Sequence, residues 1–214
     1  MTLASSLRVA ATDLYHQAWR LLILNTVLGA ALVAAIVASF VARSALFLVV
    51  LVGPVAVAVM HCAVTLAQTE DLRLAELLVG LRRYWRRGLA LGGLLALGVA
   101  LAIVVVPFYA RAGTWAWPLA ALCVYVLLLL GVFQLALWPL AVFEADRPFA
   151  LVARDALRVV ARRPWGFASL AGALLLVNVI GVAAAILPFL TLTIAYSFLV
   201  SAHFALPKNP AREV

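Results

Sequence analysis

The stretch Ala112–Phe143, AGTWAWPLAALCVYVLLLLGVFQLALWPLAVF, runs for 32 residues without an Asp, Glu, Lys or Arg. A helix needs about 20 predominantly apolar residues to cross roughly 30 Å of hydrocarbon. Four more stretches share the property: Leu21–Ala42, Ser44–Thr69, Gly88–Ala110 and Pro164–Pro207. The last is too long for one crossing, because Trp165 to Leu206 as a straight helix would extend about 60 Å, twice the hydrocarbon thickness. Pro188 lacks an N–H and clashes with the turn before it, so a reversal is expected there. A soluble domain of 214 residues, 68% of them hydrophobic, has too little interior to hide so much uncharged surface. The expected fold class is all-α. It is a polytopic membrane bundle of six transmembrane helices arranged as three hairpins, with short amphipathic helices at the cytoplasmic interface. Residues 1–214 form one integral membrane domain, with spans at approximately 21–41, 45–67, 88–110, 117–143, 165–187 and 189–206.

The net charge of +8 is distributed with the same alternation. Of the 16 Lys and Arg, 14 fall in four segments. These are Arg8 and Arg20; Arg73, Arg82, Arg83, Arg86 and Arg87; Arg147, Arg154, Arg158, Arg162 and Arg163; Lys208 and Arg212. Arg43 and Arg111 occupy the alternate gaps. Such a split is what the positive-inside rule produces, and it puts both termini in the cytoplasm. The basic balance therefore signifies orientation and contact with anionic lipid headgroups rather than nucleic-acid binding. Arg8 and Arg20 could imitate a secretory signal, but Leu21–Ala42 exceeds a signal core and Val41-Ala42-Arg43 is a poor cleavage site. An uncleaved first span is expected. Trp19, Tyr84, Trp85, Trp138 and Trp165 are placed at the basic interface, and Trp115 and Trp117 at the opposite one.

Two segments between spans carry helical periodicity. In Leu72–Arg87, Leu74, Leu77, Leu78 and Leu81 recur opposite Arg73, Glu76, Arg83 and Arg87. In Phe149–Arg163, Phe149, Val152, Ala153, Ala156, Val159 and Val160 oppose Arg154, Asp155, Arg158 and Arg162. Both are expected to lie along the inner membrane surface, starting near Thr69 or Asp71 and near Asp146 or Pro148. A weaker pattern, Leu7, Ala10, Ala11, Leu14 and Ala18, precedes the first span. Arg82-Arg83-Tyr84-Trp85 and Arg162-Arg163-Pro164-Trp165 share an Arg-Arg-x-Trp arrangement, with His16-Gln17-Ala18-Trp19 at the equivalent earlier point. Either three repeats of a surface helix plus a hairpin exist, or interface chemistry alone produces the matches.

Chemistry-bearing residues are few. The uncharged stretches hold only His61 and His203 as ionisable groups of the usual functional kind, which argues against an ion-coupled carrier. Both histidines are expected to be neutral and bonded to backbone or to Thr65 and Ser201; a facing pair is the alternative. No third ligand at metal spacing exists, and Cys62 and Cys123 fall at opposite depths, so no metal, cofactor or disulfide is expected. Asn25, Gln134 and Asn178 must find partners in a medium without water, by default across helices. Gly88-Leu89-Ala90-Leu91-Gly92 is a small-xxx-small motif suited to packing within the chain. Glu144 and Asp146 serve a helix start rather than a hydrolase. Phosphate-cradling glycine loops, nucleophile elbows and zinc motifs are all missing, so no enzyme is expected.

The order of parts is familiar. Asn25 stands one turn into the first span, Gly53-Pro54 in the second, and Leu81-Arg82-Arg83-Tyr84-Trp85-Arg86-Arg87 runs into the third. Trp138-Pro139-Leu140 then precedes an acidic turn, a surface helix and Arg163-Pro164-Trp165. This resembles the YesL-like family of bacterial membrane proteins over nearly the whole chain. It departs where family members often carry Pro-Ala-Thr-Ala, since this chain has Pro54-Val55-Ala56-Val57. The resemblance implies an inner-membrane location and no established activity. It also implies an accessory role beside a carbohydrate transport system, and it supplies no functional residues. The function expected is thus a non-enzymatic accessory or assembly partner of a transport complex, with homo-oligomerisation left open. Arg82, Arg83, Arg86, Arg87, Arg158, Arg162 and Arg163 would contact lipid or partner. The alternative is a small-solute transporter or channel with a polar path along His61, Gln134, Asn178 and Tyr196.

Overall fold

A computed structural model describes residues 3–41, 48–69, 71–184 and 193–207, all of its regular structure helical. The helices are α1 Leu3–His16, α2 Ala18–Val41, α3 Leu48–Thr69, α4 Ala75–Arg111, α5 Trp117–Phe143, α6 Phe149–Arg162, α7 Pro164–Ala184 and α8 Ile194–Ala205. Among the described residues α2, α3, α4, α5 and α7 are long and apolar enough to cross a membrane. This is the architecture of a helical multi-pass membrane protein.

Local sequence explains the boundaries. Gly113, at φ 109°, ends α4 in a conformation that glycine adopts without a Cβ penalty. Pro118 then sits in the first turn of α5, where a missing N–H costs nothing. Within α4 a π turn covers Leu101–Val105, just ahead of Pro107. A regular helix there would drive the Pro107 ring into the Ile103 carbonyl, and the wider turn relieves it. Between α6 and α7, Pro164 pushes Arg163 out of helical conformation, to φ −140° and ψ 56°. The expected faces of α6 are observed, with Val152 and Ala156 buried and Arg154, Arg158 and Arg162 exposed.

The segment Leu72–Arg87 differs from expectation. Instead of a separate surface helix there is one continuous helix of 37 residues, about 55 Å long. Its N-terminal third reaches beyond any single crossing and packs antiparallel on α3. The packed face is made of three glycines, one ring and one leucine: Gly80, Gly88, Gly92, Tyr84 and Leu91 are buried, whereas Leu78 is 60% exposed. Backbones touch along this seam. A Cβ on Gly53 would lie 2.0 Å from the Gly88 carbonyl oxygen, and one on Gly92 would lie 2.4 Å from that of Val50. The small-xxx-small motif is therefore spent inside the chain. A leucine count could not find this face, because glycine carries no hydrophobic signal.

Helices α7 and α8 are also antiparallel. Gly166 lies beside Phe204, Asn178 beside Ser197 and Gly181 beside Thr193. The described α8 has 12 residues, too few to cross alone. Pro188 and residues 189–192 of the expected sixth span lie outside the described residues, as do 45–47 of the second. Helix α1 rests on α8, with Ser6 and Ala10 fully buried.

Candidate functional site

One end of the bundle gathers most of the described arginines, and Arg111 stands at the far end of α4, roughly 36 Å of helix beyond Arg87. Within this basic end the arginines divide into two groups. Arg87 turns inward and caps α5. Its Nη1 donates to the Ala141 and Glu144 carbonyls at 2.6 and 3.1 Å, and its Nη2 to those of Ala145, at 2.6 Å, and Arg147. The last carbonyls of a helix have no partner within it, and a cation at that end also suits the helix dipole. Arg83 reaches Asp146 at 3.5 Å. Asp155 accepts from Arg158 and Arg147, both at 2.9 Å, and Arg147 also meets Glu144 at 2.7 Å. Desolvation raises the Asp155 carboxyl, but hydrogen bonds and charge from Arg158 and Arg147 overcome it and hold the group below the ordinary carboxylate range. Arg20 similarly bridges α2 to Asp71 at 2.9 Å.

Arg82, Arg86, Arg154, Arg162 and Arg163 form the second group. All are exposed, and none has a carboxylate or carbonyl partner among the described residues. Arg86 stacks on Trp85, 5.3 Å from the ring centroid. Of the seven arginines expected to face lipid or a partner, Arg83, Arg87 and Arg158 are thus engaged within the chain, and Arg82, Arg86, Arg162 and Arg163 are available. The roles of Arg147 and Asp155 had no sequence signal, since an ion network leaves no periodic trace.

The four residues of the candidate polar path do not share one hydrogen-bond set. The Asn178 amide donates to Ser197 Oγ at 2.9 Å and to the Leu174 carbonyl at 2.7 Å. Tyr196 donates its hydroxyl to the Leu7 carbonyl at 3.2 Å, pinning α1. Gln134 accepts from Trp138 Nε1 at 3.2 Å. His61 pairs with Glu76 at 3.2 Å against the Tyr84 ring, and His203 with Asp13 at 2.9 Å. Each histidine thus meets a carboxylate rather than the expected Thr65, Ser201 or second imidazole. Asn25, fully buried, accepts from the Ala195 N–H at 2.9 Å and so serves the first turn of α8. Helix-to-helix bonding holds for Asn25 and Asn178, and Gln134 bonds within its own helix. Trp138 is no interface anchor: it is 6% exposed and stacked on Phe198.

Two hollows remain. One of about 530 Å³ lies among α2, α3, α4, α5 and α8, almost wholly apolar, with Gln134 and Ser201 as its polar edges. A second, of about 310 Å³, lies at the basic end between Arg162, Arg163, Phe167 and Phe204. Among the described residues no group of three His, Cys, Asp or Glu could hold a metal ion. The class of this molecule is therefore a helical multi-pass membrane protein. No family model, curated protein or solved structure matches the chain.

Proposed function

We propose that the chain is a six-span inner-membrane protein with cytoplasmic termini, acting non-enzymatically as an accessory or assembly partner of a transport system. Its resemblance to the YesL-like family makes carbohydrate uptake the setting to test first. The observation that carries this reading is the state of α5. Ala136–Val142 pack into the bundle, but no residue of Trp117–Leu135 is buried by its own chain, and Leu122, Tyr125 and Leu128 are each more than half exposed. So broad an apolar face offers docking area to another transmembrane subunit as well as to lipid. Unpaired arginines at the basic end add contacts to anionic headgroups or to a partner's cytoplasmic side. The charge alternation supports the orientation. The α7–α8 contacts support a sixth crossing, because they bring Leu206 back toward the level of Gly166.

A second reading, a small-solute transporter or channel, draws on the cavity of about 530 Å³, which falls within the size range of small-molecule sites. Liposomes holding the purified protein alone distinguish the two. No flux of oligosaccharides or other small solutes is expected without a partner, and a transport permease should co-purify in mild detergent. Flux from the isolated protein would overturn the accessory reading.

A further inference from the structure

The smaller hollow combines charge and apolar surface in an unusual way. Arg162 ends α6, Arg163 forms the break, and α7 begins at Pro164, so both guanidinium stems leave the chain at one corner. Below them Phe167 is 1% exposed and meets Phe204 edge to face, ring centroids 5.0 Å apart. Val159 and Leu206 complete the floor. Neither guanidinium has a partner among the described residues. Trp165, next in sequence and 85% exposed, is the kind of ring that settles at headgroup level. The positive end of the α7 dipole lies at the same corner.

We propose that this pocket binds one anionic phospholipid, its phosphate between Arg162 and Arg163 and its glycerol portion on Phe167 and Phe204. This rests on the lipid-facing reading of the arginines given above and assigns it to one pocket. Guanidinium groups match phosphate oxygens with paired donors, so two of them at one corner are a phosphate rather than a carbonyl receptor. A free phosphate would gain nothing from the apolar floor, whereas the glycerol portion of a lipid would cover the partly exposed Phe204 ring, itself packed on Phe167. A volume of about 310 Å³ suits a headgroup with glycerol, and the acyl chains would continue into the bilayer. Gly166 lies against two of the lining residues. A Cβ there would lie 3.2 Å from the Phe204 ring and 3.7 Å from Arg163 Cβ, so an added methyl would press on both.

The test is lipid retention by the full chain, drawn from vesicles of equimolar phosphatidylglycerol and phosphatidylcholine into mild detergent and weighed by native mass spectrometry. One phosphatidylglycerol should stay with the unmodified protein. R162Q/R163Q should lower its retention roughly tenfold or more, two near-surface charges at the pocket being lost together, whereas R82Q/R86Q, which removes no residue lining the pocket, should lower it by less than about twofold. Equal loss in both double variants would overturn the pocket and leave a general arginine collar standing. No loss in either would overturn the collar reading as well. Gly166→Ala, which changes no charge, should also reduce retention, and undiminished binding there would remove the aromatic floor from the account. Displacement of the lipid by millimolar inorganic phosphate would identify a free-phosphate site instead.

Discussion

Arg82-Arg83-Tyr84-Trp85 and Arg162-Arg163-Pro164-Trp165 share three of four residues and fold differently. The first lies in the unbroken helix α4, with Tyr84 buried against His61. The second is a corner where α6 stops and α7 starts. The third residue decides: tyrosine continues the backbone hydrogen bonding, while proline forces the residue before it out of the α region. The consequence reaches the arginines. On the continuous helix Arg83 reaches Asp146 and Arg87, one turn later, caps α5 while Arg82 and Arg86 stay outside, whereas the corner leaves both Arg162 and Arg163 outside and unpartnered. Similar words in the sequence thus give a clamp between helices in one place and a corner with two unpaired guanidinium groups in the other.

The largest way to break this contrast is Tyr84→Pro. It should interrupt α4 and cost upwards of about 3 kcal/mol, in practice failing to give folded protein in detergent; a near-normal unfolding midpoint would show that continuity of α4 is dispensable. Arg87→Met should follow at roughly 3 kcal/mol, since several carbonyls at the end of α5 lose a charged donor. Arg87→Lys should recover only part of this, a point charge replacing a fork. Recovery to the full midpoint with lysine would deny the capping geometry.

Far smaller is Pro164→Ala. A first-turn proline surrenders no needed hydrogen bond, so the change should stay within about 1 kcal/mol. A loss as large as that of Tyr84→Pro would show that the proline does far more for stability than set the conformation of Arg163. The smallest effect concerns acid. Asp155 has a lowered carboxyl pKa in the folded chain, so its contribution is present above the ordinary carboxylate value and disappears as pH falls through the lowered one. Asp155→Asn should therefore bring the midpoints of variant and parent together at low pH and separate them near neutrality. A gap that persists in acid would place the effect elsewhere.

Much of the helical layout was legible in the sequence, for a simple reason. Runs such as Trp117–Phe143 are apolar on every side, and lipid requires no particular neighbour, so composition alone locates the helix. The amphipathic α6 was legible too, because Val152 and Ala156 recur at helical spacing. Helix α3 shows the limit. It is as apolar as its fellow spans, yet most of Val52–Ala67 is buried, whereas no residue of Trp117–Leu135 in α5 is. Hydropathy does not distinguish a core helix from a lipid-facing one. The glycine seam, the two histidine–carboxylate pairs and the Arg87 cap depend on which helices meet. Asp13 and His203 are 190 residues apart, and nothing near either one announces the other.

In the proposed topology the basic end faces the cytoplasm and the chain returns to it after α8. Single cysteines at Thr114, Asp146 and Pro207, in a chain carrying Cys62→Ala and Cys123→Ala, test it with an impermeant maleimide applied to intact cells. Labelling is expected at position 114 without lysis, and at 146 and 207 only after it. Labelling of 207 in intact cells would contradict the sixth crossing, and labelling of 146 with protection of 114 would contradict the orientation itself.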